Sequence, residues 1–200
     1  MTEQFGTSPF LPDDAYTRGN VPMTKEEVRW LSLIKLRIEP GHRVLDIGAG
    51  TGSVSIGAAR LASAGSVVAV ERNAEGAALI RENAERLGVS NIQVVEGYAP
   101  EALGNLGTFN RIFIGGSGGN LAELIRWSHT NLTEGGRLAV TSVTIESSGE
   151  AIRALKENSF EDIEIIQVAI TCGRPAGKLT LWDARNPVTL FTARRMNHER

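Results

Sequence analysis

Short apolar runs alternate with longer amphipathic stretches through about the first 143 residues, and most runs end at a glycine or a polar residue. Runs of buried-type residues predict strands, whereas apolar residues three or four positions apart predict helices. Strands that alternate with helices are typical of a parallel sheet covered on both faces. The predicted strands contain Val44–Leu45 and residues 67–71, 92–96, 111–114 and 137–143; the predicted helices begin at Ser53 or cover residues 74–87 and 119–131.

The pattern changes after residue 143. A predicted helix over about residues 147–158 leads to apolar runs at residues 163–170, 178–182 and 188–192. Because the last two runs lie only a few residues apart, we expect them to pair as antiparallel neighbours joined around Asn186–Pro187. The predicted fold is a Rossmann-like α/β domain: a mostly parallel sheet of seven to eight strands, helices on both faces, and antiparallel C-terminal strands.

The first 22 residues lack a periodic pattern and contain several glycines and prolines. They predict an irregular arm, residues 1–22, lying on a single domain formed by residues 23–200. Thr24 is followed three positions later by Glu27, which predicts a capping box at the start of a helix that runs to about Leu36.

Composition excludes several classes of protein. Cys172 is the only cysteine, so neither an intrachain disulfide nor a cysteine-based metal site is possible. No apolar run approaches the roughly 18 residues that cross a membrane, and the N-terminus does not resemble a signal peptide. We therefore expect a cytoplasmic protein without a membrane partner. The net charge of −2 provides no chain-wide attraction to nucleic acid.

The candidate chemistry begins with a glycine loop, Asp46-Ile47-Gly48-Ala49-Gly50-Thr51-Gly52, placed between a predicted strand and a predicted helix. Such loops bring a bound molecule against main-chain N–H groups. The dinucleotide pattern G-x-G-x-x-G fails at its third glycine, where Ser53 stands. Glu71 ends the next strand, where a carboxylate can accept hydrogen bonds from two ribose hydroxyls. These residues predict an adenosine-bearing ligand.

The spacing D-x-G-x-G-x-G resembles motif I of the class I S-adenosylmethionine (SAM) methyltransferases. That resemblance implies the corresponding fold and SAM as methyl donor. In this family the acid of the motif helps to hold the amino group of the cofactor, and residues after the third strand contact the adenine. Tyr98 stands where the family usually has an acid, so an acidic adenine contact is not expected. The implied SAM-binding residues are Thr24, Asp46, Gly48, Gly50, Thr51, Gly52, Ser53, Glu71, Gly97, Tyr98 and Ala99.

A second glycine loop, Gly115-Gly116-Ser117-Gly118-Gly119, follows the fourth predicted strand and precedes a helix. Its N–H groups and the helix dipole would favour an anion at the same edge of the sheet. The N-P-P-Y motif of base-methylating enzymes is missing from this region.

A closer resemblance is carried by Pro12–Asp14, Arg18–Arg29, Asp46–Ser55, Ala99–Leu103 and Ile114–Gly119. Together these stretches resemble the CbiT-type decarboxylating precorrin methyltransferases of cobalamin biosynthesis. The resemblance implies methylation of a tetrapyrrole at carbon 15 with loss of the ring C acetate as carbon dioxide. It leaves open whether the substrate contains cobalt. Members of the family are tetramers, and the arm offers Phe5, Phe10, Leu11 and Tyr16 for packing on a neighbour.

This chemistry requires alignment rather than a strong nucleophile, so we assign no catalytic residue and no metal site. His42, His129 and His198 lie outside every candidate motif. A substrate with many carboxylates calls for cations, and the substrate-binding candidates are Arg18, Lys25 and Arg174, together with Ser117. Two alternatives remain: a tRNA adenine-N1 methyltransferase, disfavoured by the net charge, and a non-catalytic SAM-binding module.

Overall fold

Five α-helices and nine strands follow one another between residues 6 and 196, the part of the chain that the computed structural model describes. The helices are α1 (Glu26–Leu36), α2 (Ser53–Leu61), α3 (Ala74–Arg86), α4 (Leu121–Asn131) and α5 (Ile145–Glu157). The strands are β1 (Arg43–Ile47), β2 (Ser66–Glu71), β3 (Ile92–Glu96), β4 (Phe109–Ile114), β5 (Leu132–Ser142), β6 (Glu161–Val168), β7 (Thr171–Ala176), β8 (Leu179–Ala184) and β9 (Val188–Arg194).

Seven of these strands form one sheet in the order β3-β2-β1-β4-β5-β9-β6. Strands β1 to β5 are parallel, whereas β9 runs antiparallel to both β5 and β6. The fold predicted from the sequence is therefore confirmed. The order reverses between β1 and β4, and in open α/β sheets ligands bind at the carboxyl ends of the strands at such a switch point.

Two helical layers cover the sheet because its central strands are apolar on both faces. Leu45 and Ile47 of β1 pack into a core shared with α4 and α5, whereas Val44 packs towards α1 and α2. This alternation follows from the period of two in a strand. Burial of both faces makes β1, β2 and β4 rigid supports for the loops that follow them.

The predicted pairing of the last two apolar runs is wrong. Strand β8 pairs with β7, which the sequence did not predict, in a separate two-stranded hairpin that turns at Gly177 (φ +63°). Strand β9 instead lies between β5 and β6, where Leu190, Phe191 and Ala193 are buried. Burial of these apolar side chains in the main sheet outweighs pairing with the nearest strand in sequence.

The predicted capping box is also wrong. Helix α1 begins at Glu26 with Lys25 as N-cap, and no side chain caps it. The carbonyl of Thr24 accepts a 2.7 Å hydrogen bond from Arg29, and the carboxylate of Glu27 lies 3.2 Å from the guanidinium of Arg185. Ion pairing with a distant segment thus replaces the local cap.

The described part of the arm, residues 6–22, is irregular apart from one 3₁₀ turn at Asp13–Ala15. Arg29, which is fully buried, donates to the carbonyl of Leu11 (2.6 Å) and pairs with Asp13 (3.1 Å). Leu11 and Tyr16 are buried against α2 of the same chain, so these two are not available to a neighbouring subunit, contrary to expectation. Phe5 lies outside the described residues, and the division at residue 22 stays a prediction.

Candidate functional site

Two glycine loops meet at the carboxyl ends of β1 and β4, where the sheet order reverses. Gly48 has φ +72°, and a Cβ added there would lie 2.5 Å from the carbonyl oxygen of Gly116. Gly50 has φ +56°, and its added Cβ would lie 2.8 Å from the carbonyl of Pro22 in the arm. Only glycine fits both positions, because the backbone is left-handed and the space is already filled.

A cavity of about 260 Å³ opens between these loops and the ends of β2 and β3. Its volume is just below the roughly 300–1,000 Å³ of small-molecule sites. Seven of the predicted site residues line it: Gly48, Gly50, Glu71, Gly97, Tyr98, Ala99 and Ser117.

Glu71 is held rigidly at the floor of this cavity. One carboxylate oxygen accepts from the N–H of Gly50 (2.8 Å) and the other from the N–H of Asn73 (2.9 Å), and the residue is 8% exposed. A carboxylate has about four lone-pair positions, so both oxygens can still accept from a ligand. This geometry fits a ligand with two neighbouring hydroxyls.

Asp46 lies beneath the loop and not on the cavity wall. Ser55 donates a 2.5 Å hydrogen bond to its Oδ2, while Oδ1 is buried with no hydrogen-bond partner. The pKa of Asp46 is raised to about 7, mainly by burial; the hydrogen bond from Ser55 opposes this increase and the charge of Glu71 adds to it. A buried acceptor without a partner beside the site fits a cationic ligand group.

The other predicted residues of the loop shape it from behind. The carbonyl of Thr51 accepts from Asn83 (3.0 Å), and the carbonyl of Ser53 accepts from the hydroxyl of Tyr16 (3.3 Å). Gly52 packs against Ile80, where an added Cβ would lie 3.0 Å from the side chain. These three residues and Asp46 do not line the cavity, and their roles stay predictions.

Sequence reasoning missed Arg72 at the rim of the cavity. Its guanidinium carbon lies 5.9 Å from the ring centroid of Tyr98, which is 66% exposed, and close to Gly118. The signal was available, since Arg72 directly follows Glu71 at the end of a strand. The rim therefore combines a cation with an aromatic ring.

A second cavity of about 300 Å³ adjoins the first and is lined by Thr24 and Lys25 among others. Nζ of Lys25 lies 3.5 Å from Asp13. Arg18 and Arg174 are exposed and line neither cavity, so the predicted cations are not gathered at one cavity wall.

Neither described histidine lines either of these two cavities. His42 accepts from the N–H of Glu39, and His129 packs edge-on against Phe160; His198 lies outside the described residues. Within residues 6–196 there is no group of three His, Cys, Asp or Glu side chains placed to hold a metal ion. In the same range, no helix has the length and apolar character needed to span a membrane.

Comparison with known families decides between the ligand classes. The model of the precorrin methyltransferase domain matches residues 14–195. The chain belongs to this family. The predicted resemblance to the precorrin methyltransferases is thereby confirmed.

Relatives of this precorrin methyltransferase domain match over almost their whole length. A protein of Saccharolobus solfataricus, named probable cobalt-precorrin-6B C(15)-methyltransferase (decarboxylating), is 38% identical over 92% of this chain and 94% of its own. The Salmonella typhimurium cobalt-precorrin-6B C(15)-methyltransferase (decarboxylating) is 37% identical over 95% of this chain and 99% of its own. The structure of precorrin-6y C5,15-methyltransferase from Geobacter metallireducens superposes with a TM-score of 0.88 at 32% identity. The match covers 96% of this chain and 100% of that structure.

Proposed function

We propose that this protein methylates a precorrin at carbon 15 and removes the ring C acetate as carbon dioxide, as one step towards cobalamin. The observation that carries the proposal is the match along nearly the full chain to relatives with this activity in their names. The glycine cradle and Glu71 at the switch point of the sheet support the same conclusion from geometry.

The first cavity fits the methyl donor SAM. Gly48 and Gly50 line this cavity and offer backbone contacts to the ligand, Glu71 is placed for the ribose hydroxyls, and Gly97 to Ala99 for the adenine. Asp46 lies beneath this loop with Oδ1 unpartnered, and a cationic amino group of the ligand would favour the ionised form of this buried carboxyl. When bound, SAM supplies a methyl group attached to a positively charged sulfur.

The protein's part in the reaction is to align the methyl donor with the acceptor carbon. The acceptor carbon uses an electron pair of the ring to form its bond to the methyl group. The bond between the acetate methylene and its carboxylate breaks, and that electron pair passes into the ring. Charge therefore balances without an oxidant or a reductant. A proton moves onto the methylene and one leaves the ring.

We also propose that the enzyme is a cytoplasmic homotetramer and that Arg18, Lys25 and Arg174 bind substrate carboxylates. The hairpin β7–β8 supports an assembly, because Leu179, Leu181 and Trp182 are 70%, 47% and 81% exposed. Two strands alone are marginally stable in water, so an ordered apolar hairpin calls for a partner surface.

Incubation with SAM and cobalt-precorrin-6B, or its metal-free counterpart, tests the function. We expect product mass to increase by one methyl group and decrease by carbon dioxide. The variant Glu71→Ala should lose at least tenfold in SAM affinity, because the cavity loses a charged acceptor. Glu157→Ala, an exposed carboxylate in the last turn of α5, is the matched control and should leave that affinity unchanged.

Two results would contradict the proposal. SAM binding with no change in the mass of either precorrin would favour a non-catalytic module. Methyl transfer to adenine in unmodified tRNA would favour the nucleic-acid alternative.

A further inference from the structure

The second cavity shares two walls with the first. In the arm, Val21 and Pro22 line the first cavity, and the following residues 23–25 line the second. After β4, Gly115 lines the second cavity and Gly116 lines the first. Two separate segments thus pass from one cavity to the other, so the cavities lie side by side at one edge of the sheet.

The second cavity differs from the first in its chemistry. Its walls include the apolar side chains of Met23, Val28 and Val143. The hydroxyl of Thr141 is directed to the carbonyl of Ile114 at 3.5 Å. Among the lining residues that the structure describes, Lys25 alone is charged. The cavity therefore suits an apolar group that has a carboxylate at its edge.

Lys25 retains capacity for a further anion. Its side chain is 43% exposed, and its 3.5 Å contact with Asp13 is longer than a direct charge-assisted hydrogen bond. Asp13 already lies 3.1 Å from Arg29, whose guanidinium is fully buried and depends on that charge. A substrate carboxylate can bind Lys25 without leaving Arg29 unpaired.

An apolar ledge extends from the rim of the cavity. Val143 lines the cavity and is 69% exposed, and Ile145, at the start of α5, is 88% exposed. Single exposed apolar side chains are common, but here the exposed Ile145 follows two positions after Val143, which lines the cavity. Such a ledge suits the face of a flat ring system.

We infer that the second cavity receives the acetate-bearing corner of the tetrapyrrole acceptor, with the remaining macrocycle lying on Val143 and Ile145 and a peripheral carboxylate paired with Lys25. The inference rests on the proposed function and assigns the acceptor to a place within that site.

The size and lining of the cavity agree with this assignment. About 300 Å³ is the lower end of the range for drug-sized ligands, so one corner of a tetrapyrrole enters and the whole macrocycle does not. An acetate group among apolar side chains loses its hydration, which raises the free energy of its localised negative charge. In the transition state for loss of carbon dioxide this charge spreads into the ring, so the lost hydration matters less there. The walls thus favour breakage of the methylene–carboxylate bond.

Lys25→Met and Val143→Asp test the assignment. Equilibrium binding is measured with uroporphyrin I, a stable tetrapyrrole that has acetate and propionate side chains, and kinetics with cobalt-precorrin-6B. We expect both variants to bind uroporphyrin about tenfold more weakly and to raise KM, because one loses a cation and the other places a carboxylate at the mouth. SAM affinity should stay unchanged, which also reports correct folding, and Lys25→Arg should restore binding.

Matched controls are Lys156→Ala, an exposed lysine in the last turn of α5, and Ile34→Asp, an exposed apolar residue of α1. Both should bind uroporphyrin as the wild type does. If the wild type converts cobalt-precorrin-6B and the Lys25 and Val143 variants match it in KM and binding, the assignment is wrong and the function stands. If the wild type neither binds uroporphyrin nor converts the precorrin, the assignment of the second cavity and the proposed function are both wrong.

Discussion

Asp46 is a buried acid whose protonation state contributes to the stability of the folded chain. Its carboxylate is buried, and its pKa of about 7 in the folded protein compares with an ordinary value of 3.8. Between these two values the folded state binds a proton that the unfolded state has released. The free energy of unfolding therefore falls as pH rises from about 4 to about 7, and this contribution is level above that range.

Asp46→Asn removes this dependence while an amide oxygen can still accept from Ser55. We expect the variant to gain stability relative to the wild type as pH rises across that window, by at most about 1.4 kcal/mol for each pH unit. Urea denaturation at several pH values between 4 and 8 measures the difference. Glu157→Gln, which changes an exposed carboxylate, should keep the slope of the wild type. If the free energies of unfolding of Asp46→Asn and the wild type change in parallel with pH, Asp46 is ionised in the folded state across this range.

At the scale of elements, replacing glycine by alanine should have opposite effects on the free energy of unfolding in a loop and in a helix. Gly149 lies inside α5, and an added Cβ would meet no atom within 4 Å. Gly149→Ala should raise the free energy of unfolding by about 0.5–1 kcal/mol, because glycine loses more backbone entropy than alanine.

Gly48→Ala should instead destabilise the protein and abolish SAM binding. The added methyl group would collide with the carbonyl of Gly116, and the backbone at φ +72° disfavours a side chain. For both variants, thermal unfolding measures the stability and calorimetric titration measures the affinity for SAM. Normal SAM affinity in Gly48→Ala would mean that the two glycine loops separate easily, contrary to the geometry described.

The elements predicted correctly from the sequence are those whose signal lies within the element itself or in the residues beside it. Residues 92–96 form β3 as predicted, and Gly88 (φ +67°) ends the helix at the expected place. The cavity residues Gly48 and Glu71 were predictable for the same reason, because each belongs to a pattern within one strand–loop unit. Strand β7 was missed since Gly173 and Pro175 interrupt its apolar pattern.

Contacts between distant segments could not be predicted in this way. The capping box failed because Glu27 pairs with Arg185, 158 positions away. The pairing of β9 failed because proximity in sequence does not reveal which sheet edge is free. The second cavity was not predicted for a related reason: its walls come from residues 23–25, α1, the loop after β4, β5 and β9, which meet only in the folded chain.

At the scale of the whole molecule, the hairpin β7–β8 should control assembly. The double variant Leu181→Asp, Trp182→Asp replaces two exposed apolar side chains of β8, one on each face of the hairpin because neighbouring residues of a strand point to opposite faces. We expect light scattering after size-exclusion chromatography to show a tetramer for the wild type and a smaller species for the variant. SAM affinity should be retained, because the hairpin contributes no residue to the first cavity.

Ile34→Asp is the control for this experiment, since Ile34 is 58% exposed on α1, away from the hairpin in sequence. It should keep the mass of the wild type. A wild type that is monomeric at micromolar concentration would contradict the proposed assembly, and an unchanged tetramer in the double variant would place the interface elsewhere.

The position of β9 has a consequence for synthesis of the protein on the ribosome. This strand is the last described element to be translated, yet it lies between β5 and β6. Until residues 188–194 have emerged, β5 keeps an open hydrogen-bonding edge and β6 has no partner in the sheet. Such edges are sites of mispairing with other chains. The nascent enzyme therefore remains open to aggregation until residues 188–194 have emerged, however early its SAM-binding half is able to fold.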